Sequence, residues 1–399
     1  MKKGWITKPL GDLCEVFTDG NWIESKDQSS EGIRLIQTGN VGQGVFKDRG
    51  DKARYISEAT FKRLRCTEIF EGDCLVSRLP DPVGRSCILP DTGERMITAV
   101  DCTILRFDTK QFLPEFFNYY SQSDDYISTV ANECTGTTRN RISRSNLGLT
   151  PIPVPPLPEQ RRIVGILDEA FAGLATAKAN AEKNLHNARA LFESHLQSVF
   201  SQRGKGWVEK KVSEIAKHSL GKMLDKAKNK GEPQPYLRNI NVRWFTFDLS
   251  NTLEMPFLPS EVEKYTAIKG DVLICEGGYP GRAAIWSEDN PIYFQKALHR
   301  VRFHEPEHNK WFVYYLSAQD SNGELKQHFS GTGIQHFTGE VLARFTIPVP
   351  PLPELRRAVA KFDSLSSETQ RLAAIYQQKL TALEALKKSL LHQAFSGEL

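Results

Sequence analysis

The chain has 399 residues, a quarter of them charged and 40% apolar, with a formal net charge of +4. That balance belongs to a folded chain of two or three domains, and it excludes a disordered tail, a small disulfide-stapled scaffold and a run approaching the roughly 20 apolar residues of a spanning helix. The weak positive charge permits a nucleic-acid partner without demanding one. Met1-Lys2-Lys3-Gly4-Trp5 leads into no signal-peptide core, so a cytoplasmic protein is expected. The seven cysteines are odd in number and lack a C-x-x-C pair, which points to reduced thiols.

Read from the N-terminus, the chain repeats itself. Lys3-Gly4-Trp5 returns as Lys205-Gly206-Trp207, an offset of 202. "LIQTGNV" from Leu35 matches "YLRNINV" from Tyr236, offset 201; "GDCLV" from Gly72 matches "GDVLI" from Gly270, offset 198. Gly84-Arg85 matches Gly281-Arg282, "LRF" from Leu105 matches "VRF" from Val301, and "FFNYY" from Phe116 is aligned with "FVYYL" from Phe312 at offset 196. "TGT" from Thr135 matches "SGT" from Ser330, and the offset then holds at 195 through Phe200 and Phe395. Two copies of about 200 residues, separated by a few short loop deletions, account for this slow decline.

Each copy has the same order of parts. Residues 1–150 and 203–345 carry short β-prone runs such as "CTILRF" and "DVLIC" between Gly, Asn, Asp and Pro, which predicts mixed α/β domains. Residues 151–202 and 346–399 open on "IPVPPLPEQRR" and "IPVPPLPELRR", which suit an extended or polyproline II entry segment, followed by helices started by Pro158-Glu159 and Pro353-Glu354. Downstream the spacing alternates 3 and 4. One seam runs Leu167, Ala170, Leu174, Ala177, Ala181, Asn184, Ala188, Leu191, and the other Phe362, Leu365, Thr369, Leu372, Tyr376, Lys379, Leu383, Leu386, Leu390. The Ala-rich and Leu-rich seams complement each other in bulk and predict an antiparallel pair. The expected architecture is α+β: two mixed α/β domains joined by two long antiparallel helices in a coiled coil, a pseudo-twofold duplication with its termini close together.

Catalytic patterns fail on inspection. His304-Glu305-Pro306-Glu307-His308 has the letters of a zinc helix, but Pro306 would break the helix that the two imidazoles require, so a polar loop is expected. Asp91 with Asp108-Thr109-Lys110 fits a loose metal-nuclease pattern, kept as the alternative reading, yet the other copy offers Phe303-His304-Glu305 there. Gly39, Gly42 and Gly44 lack dinucleotide spacing, and no phosphate-loop motif or adenine-holding Asn-Pro-Pro-Tyr motif occurs. No catalytic residue and no metal ligand is assigned.

Recognition chemistry remains. "CTGTTRNRISRSN" from Cys134 places Thr137, Thr138, Arg139, Asn140 and Arg141 in one Gly-containing loop, and "SGTGIQHFTGE" from Ser330 places Thr332, Gln335 and His336 at the matching point. Arginine forks onto guanine, Asn and Gln onto adenine, and hydroxyls reach phosphates. A shared loop with different side chains is what two half-sites require. Asn21, Trp22 and Lys26 in "GNWIESK" and Arg238, Asn241 and Arg243 in "RNINVRWF" are further candidates, joined by Gln37, Asn40, Arg85, Tyr279 and Arg282 beside the repeated motifs. Trp22 and Trp244 stand at even odds between surface and core.

The doubled "PxPPLPExxRR-helix" element, the opening "GW...LGDL", the "GDxL" strand and the "TGT" or "SGT" loop resemble the specificity subunits of type I restriction-modification systems over the whole chain. The resemblance implies two target-recognition domains, each reading one half of a split double-stranded DNA target, held apart by spacer helices packed through Leu167, Leu174, Leu191, Leu365, Leu372, Leu383, Leu386 and Leu390. It implies two modification subunits using S-adenosylmethionine and restriction subunits using ATP and Mg2+ as partners. No cofactor is then expected on this chain.

Overall fold

The structure, a computed structural model, describes residues 4–136, 140–225 and 229–399. The chain forms two compact units, Met1–Glu182 with Gln378–Leu399 and Lys183–Gln377. Among the described residues no helix is long and apolar enough to cross a membrane.

In the first unit a four-stranded antiparallel sheet runs in the order Cys14–Asp19, Cys102–Phe107, Cys74–Ser77, Ser86–Ile88. The second unit repeats it with Ala216–Leu220, Leu298–Phe303, Val272–Cys275, Ala283–Ile285. The repeated "GDxL" motif now has a physical reason. Asp73 takes both oxygens to Arg106 at 2.7 Å, and Asp271 does the same with Arg302 at 2.7 and 2.6 Å. Each aspartate also accepts the backbone N–H of a residue three positions before it, Phe70 or Ile268. The preceding glycines, at φ +84° and +93°, make that turn without a side-chain penalty. A second sheet in each unit contains a parallel pair, Ile33–Ile36 with Met96–Thr98 and Glu232–Leu237 with Ile292–Phe294.

Of the two expected conformations, extended and polyproline II, the proline line takes the extended one, as a paired strand. Pro151–Val154 pairs antiparallel with Ile6–Pro9, and Thr346–Val349 with Val208–Lys211. Proline lacks an N–H donor, and a two-stranded ribbon, which has only edges, tolerates that. The helices then begin one residue before the expected prolines and run Leu157–Ser201 and Leu352–Ser396, 45 residues each. At about 1.5 Å per residue each is on the order of 65 Å long.

Each unit takes a segment of both helices. In the first, Ile163 and Leu167 share a core with Leu391, Ala394 and Phe395, while Lys178 lies 3.7 Å from Glu384, so the segments run antiparallel. In the second, Leu196 and Phe200 share a core with Leu355 and Phe362. Trp5 and Leu399 both pack on the first unit's core.

The seam differs from the strict heptad at matched places. Leu167 is buried and Leu174, Leu365, Leu372, Leu383 and Leu390 are half-buried, but Asn184, Leu191, Lys379 and Leu386 are exposed. Leu191 and Leu386 retain 54% and 48% of their exposure. A helix of 3.6 residues per turn drifts about 20° per heptad from a 3.5 repeat. Past Ala181 and Tyr376 inward positions have therefore moved on by one, to Leu185, Phe192 and Leu196 and to Leu380, Lys387 and Leu391, while Ala188 and Leu383 of the strict seam stay inward.

The alignment of "FFNYY" also shifts by one. Phe116 packs on Trp5 and Phe395, and its equivalent is Trp311, which packs on Trp207 and Phe200. The tyrosine that bonds the first long helix, Tyr119 to Asp168, matches Tyr314 to Asp363. The offset thus reaches 195 before this helix, one residue deletion earlier than the letters suggest.

Candidate nucleic-acid interface

In the first unit four segments meet at one end of the sheets. Gly20 and Asn21 donate backbone N–H groups to Cys102 and Thr98, Arg78 donates to Asp101, and Ile142 donates to Arg78. Thr135 and Arg141 exchange backbone hydrogen bonds of 2.9 and 3.0 Å, closing the loop between them. The second unit repeats every bond. Gly221 donates to Leu298, Lys222 to Phe294, Glu276 to Ala297 and Phe337 to Glu276, while Ser330 and His336 close the matching loop at 2.9 and 2.8 Å. Two positions require glycine in each copy. A Cβ on Gly20 or Gly221 would lie 2.3 or 2.2 Å from a carbonyl oxygen across the strand end, and Gly136 and Gly331 stand at φ +119° and +106°.

The side chains on this common backbone differ. In the first unit Arg78 is buried; it donates to Asp19 at 3.0 Å and to the carbonyls of Val100 and Ile142, while Thr103 donates to the other oxygen of Asp19. Burial disfavours charge at Arg78 and pulls its pKa below the usual value. Exposed Asn140 and Arg141 project from the loop, with Arg141 3.1 Å from Asp101. Thr137, Thr138 and Arg139 lie outside the described residues. In the second unit Thr332 and Gln335 are exposed and His336 is half-buried, bridged to Gly277.

Other candidates separate into framework and surface. Asn40 and Asn241 are buried turn-formers whose oxygens accept the N–H of Gln37 and Arg238, and whose amides donate to Lys47 and Asp248. Arg85 is buried, with donors directed to the carbonyls of Val41, Leu79, Pro82 and Thr38, and Arg282 similarly donates to Asn239. Asn21 bonds Leu64 and Thr67, and Arg238 bonds Asn251. Asn40, Asn241 and Arg85 thus direct their donors at the backbone.

Trp22 is 68% exposed, Lys26 pairs with Glu24 at 2.7 Å, and Tyr279, 60% exposed, stacks on Arg282 at 4.0 Å. Arg243 is exposed beside Asp248, Gln37 is half-buried, and Trp244 packs on the second core. The role of Arg78 and Glu276 in anchoring the loops was missed. Its trace in the sequence was a charge reversal at offset 198.

The nuclease candidates are turn-formers. Asp91 accepts from Gly93, and Asp108 accepts from Lys110 and Gln111. His304 precedes a helix that begins at Glu307, so the two imidazoles do not share one helix face. Among the described residues no group of three His, Cys, Asp or Glu is placed to hold a metal, and the seven cysteines are free.

A family model described as the type I restriction modification DNA specificity domain matches residues 2–184 and again 204–385. The chain belongs to this family. Among relatives of this specificity family, the type I restriction enzyme EcoKI specificity subunit of Escherichia coli K12 is 23% identical, covering 100% of this chain and 90% of that protein. The StySPI specificity subunit of Salmonella potsdam is 22% identical with the same coverage. A solved chain from work on complex assembly and conformational transition of the type I R-M system superposes with a TM-score of 0.81 at 19% identity, covering 100% of this chain and 99% of its own. The HsdS subunit from Thermoanaerobacter tengcongensis gives 0.64 at 20%, covering 100% and 98%. Both structures establish the fold of a specificity chain. Nothing in the family supports the nuclease alternative, and the chain's role is DNA recognition without chemistry of its own.

Proposed function

We propose that each unit reads one half of a bipartite double-stranded DNA target, that the two long helices set the unread spacer, and that the same helices dock two modification subunits. The observation that supports this most is the loop closed by identical backbone bonds in both copies yet carrying Asn140 and Arg141 in one and Gln335 and His336 in the other. A fixed backbone with interchangeable side chains gives two readers of different sequence at the same bearing. Trp22, Lys26, Arg243 and Tyr279 add further surface contacts, and Thr137, Thr138 and Arg139 belong to the same loop in sequence. The assembly works in the cytoplasm, where modification subunits supply S-adenosylmethionine chemistry and restriction subunits consume ATP with Mg2+. The modest charge of +4 leaves part of the phosphate contact to those partners.

Methylome sequencing of a host carrying this chain with its modification partners tests the reading. A bipartite motif is expected, and grafting the segment 331–335 in place of 136–140 should change one half and leave the other half and the spacer intact. A continuous motif, or changes in both halves, would overturn it.

A further inference from the structure

The two units differ at one cavity. In the first, a cavity of about 550 Å³ is walled by Val45, Ile88, Phe171, Leu174 and Leu383, with Lys387 at its side. The second has a cavity at the matching place, lined by Phe245, Ile285, Tyr314 and Asp363, of only about 290 Å³. Matched backbone bonds fix the equivalence: Gly44 donates to Ser86, and Phe245 donates to Ala283. Both residues have positive φ, +81° for Gly44 and +67° for Phe245.

The second copy thus places an aromatic ring where the first has none. Phe245 packs at 5.2 Å from Tyr314 and 6.0 Å from Phe192. The residue matching Phe192 in the first unit is Lys387, held over the Phe171 ring at 5.0 Å and donating to Gln122 at 2.9 Å. A non-glycine residue at positive φ is uncommon, and for a bulky one it signals a constraint that the surroundings impose. At Phe245 the constraint delivers a ring to this cavity.

We infer that the first unit's cavity receives an aromatic side chain from a docked modification subunit, in the place that Phe245 fills in the second. This rests on the docking reading above. The chemistry of the cavity supports that occupant. Its apolar lining residues, which suit a ring, stand beside the polar Gln43, Asn118 and Gln122, and Glu115, Asp168, Glu384, Lys178 and Lys387 add charges of both signs. An aromatic anchor in a pocket with a charged rim is the usual energetic centre of a protein interface.

The experiment uses the full chain with toluene as a ring probe and the purified modification subunit as partner. Saturation-transfer NMR should show toluene bound to the wild type, with the signal lost in Gly44→Phe, which supplies a ring from within. Ala175→Trp, at an exposed helix position on the cavity wall, should block it from the other side if Gly44→Phe fails to fold. Both variants should weaken capture of the modification subunit by roughly 10-fold or more. Loss of the toluene signal with unchanged capture overturns the inference and leaves the docking reading intact. No toluene binding by the wild type also overturns it. A wild type that captures no modification subunit overturns the docking reading, and this inference with it, whatever toluene does.

Discussion

Arg78 anchors the closed loop of the first unit through a buried guanidinium, while at the same place in the second Glu276 anchors it with backbone bonds. Gly44 leaves room for a large cavity where Phe245 fills half of one. Thr103 donates to Asp19 in the central strand of the first unit, and the matching residue of the second is His299, a buried imidazole. Against these differences stand the Asp–Arg pairs, the turn asparagines and the loop closures, which coincide. Backbone hydrogen bonding and the turns that satisfy it were retained after duplication, because an unpaired buried N–H or carbonyl is penalised in any sequence context. Side chains that meet no such demand have diverged.

The strongest way to break that comparison is to remove the shared framework from each copy. Asp73→Ala and Asp271→Ala each strand a partly buried arginine, and each should cost roughly 3–5 kcal/mol in urea unfolding. Equal losses are expected, and a marked inequality would mean that the two frameworks are not equivalent.

Acid should separate the units next. Burial, with His218 nearby as a lesser cause, pulls His299 down to about 4. The unfolded imidazole takes its proton near pH 6.5, so the unfolded state binds more protons as the pH falls. Stability present above pH 6.5 is therefore lost between about 6.5 and 4, in total about 3 kcal/mol. Urea unfolding at pH 7.5 and 4.5 should show the loss in the second unit, and His299→Leu should reduce it. The first unit, with Thr103 in that place, should lack this component.

The closed loops, proposed to read the target, sharpen the comparison further. Arg141→Ala and Gln335→Ala should each weaken binding of the assembled complex by about 1–3 kcal/mol on one half of the target only. Duplexes mutated in one half at a time provide the check. The smallest stability effect should come from the seam. Leu191→Ala and Leu386→Ala should change stability by about 0.5 kcal/mol or less, whereas Leu167→Ala at a buried position should cost about 2–5 kcal/mol.

Much of this was legible in the letters. The duplication and the long helices follow from repeated motifs with local physical causes, such as Gly72 before Asp73 or Gly136 in its loop. What was not legible depended on neighbours distant in sequence. The pairing of Pro151–Val154 with Ile6–Pro9 joins segments some 145 residues apart, and its register is invisible to local propensity. The outward position of Leu191 and Leu386 reflects accumulated drift along a helix, which a strict seven-residue count conceals. Arg85 and Asn40 carried the right chemistry for base contacts, but their donors proved to be directed at the backbone.

The helix ends carry one more consequence. Phe395 is written in the second copy yet packs on Phe116 and Tyr120 in the first unit, and Phe200, written in the first copy, packs on Trp311 and Tyr315 in the second. The gene's repeats and the protein's folding units therefore do not share boundaries. A lesion at codon 395 should be inherited with the second repeat but expressed as a defect of the first unit, and exchange of whole repeats between related genes would transplant part of each neighbour's core.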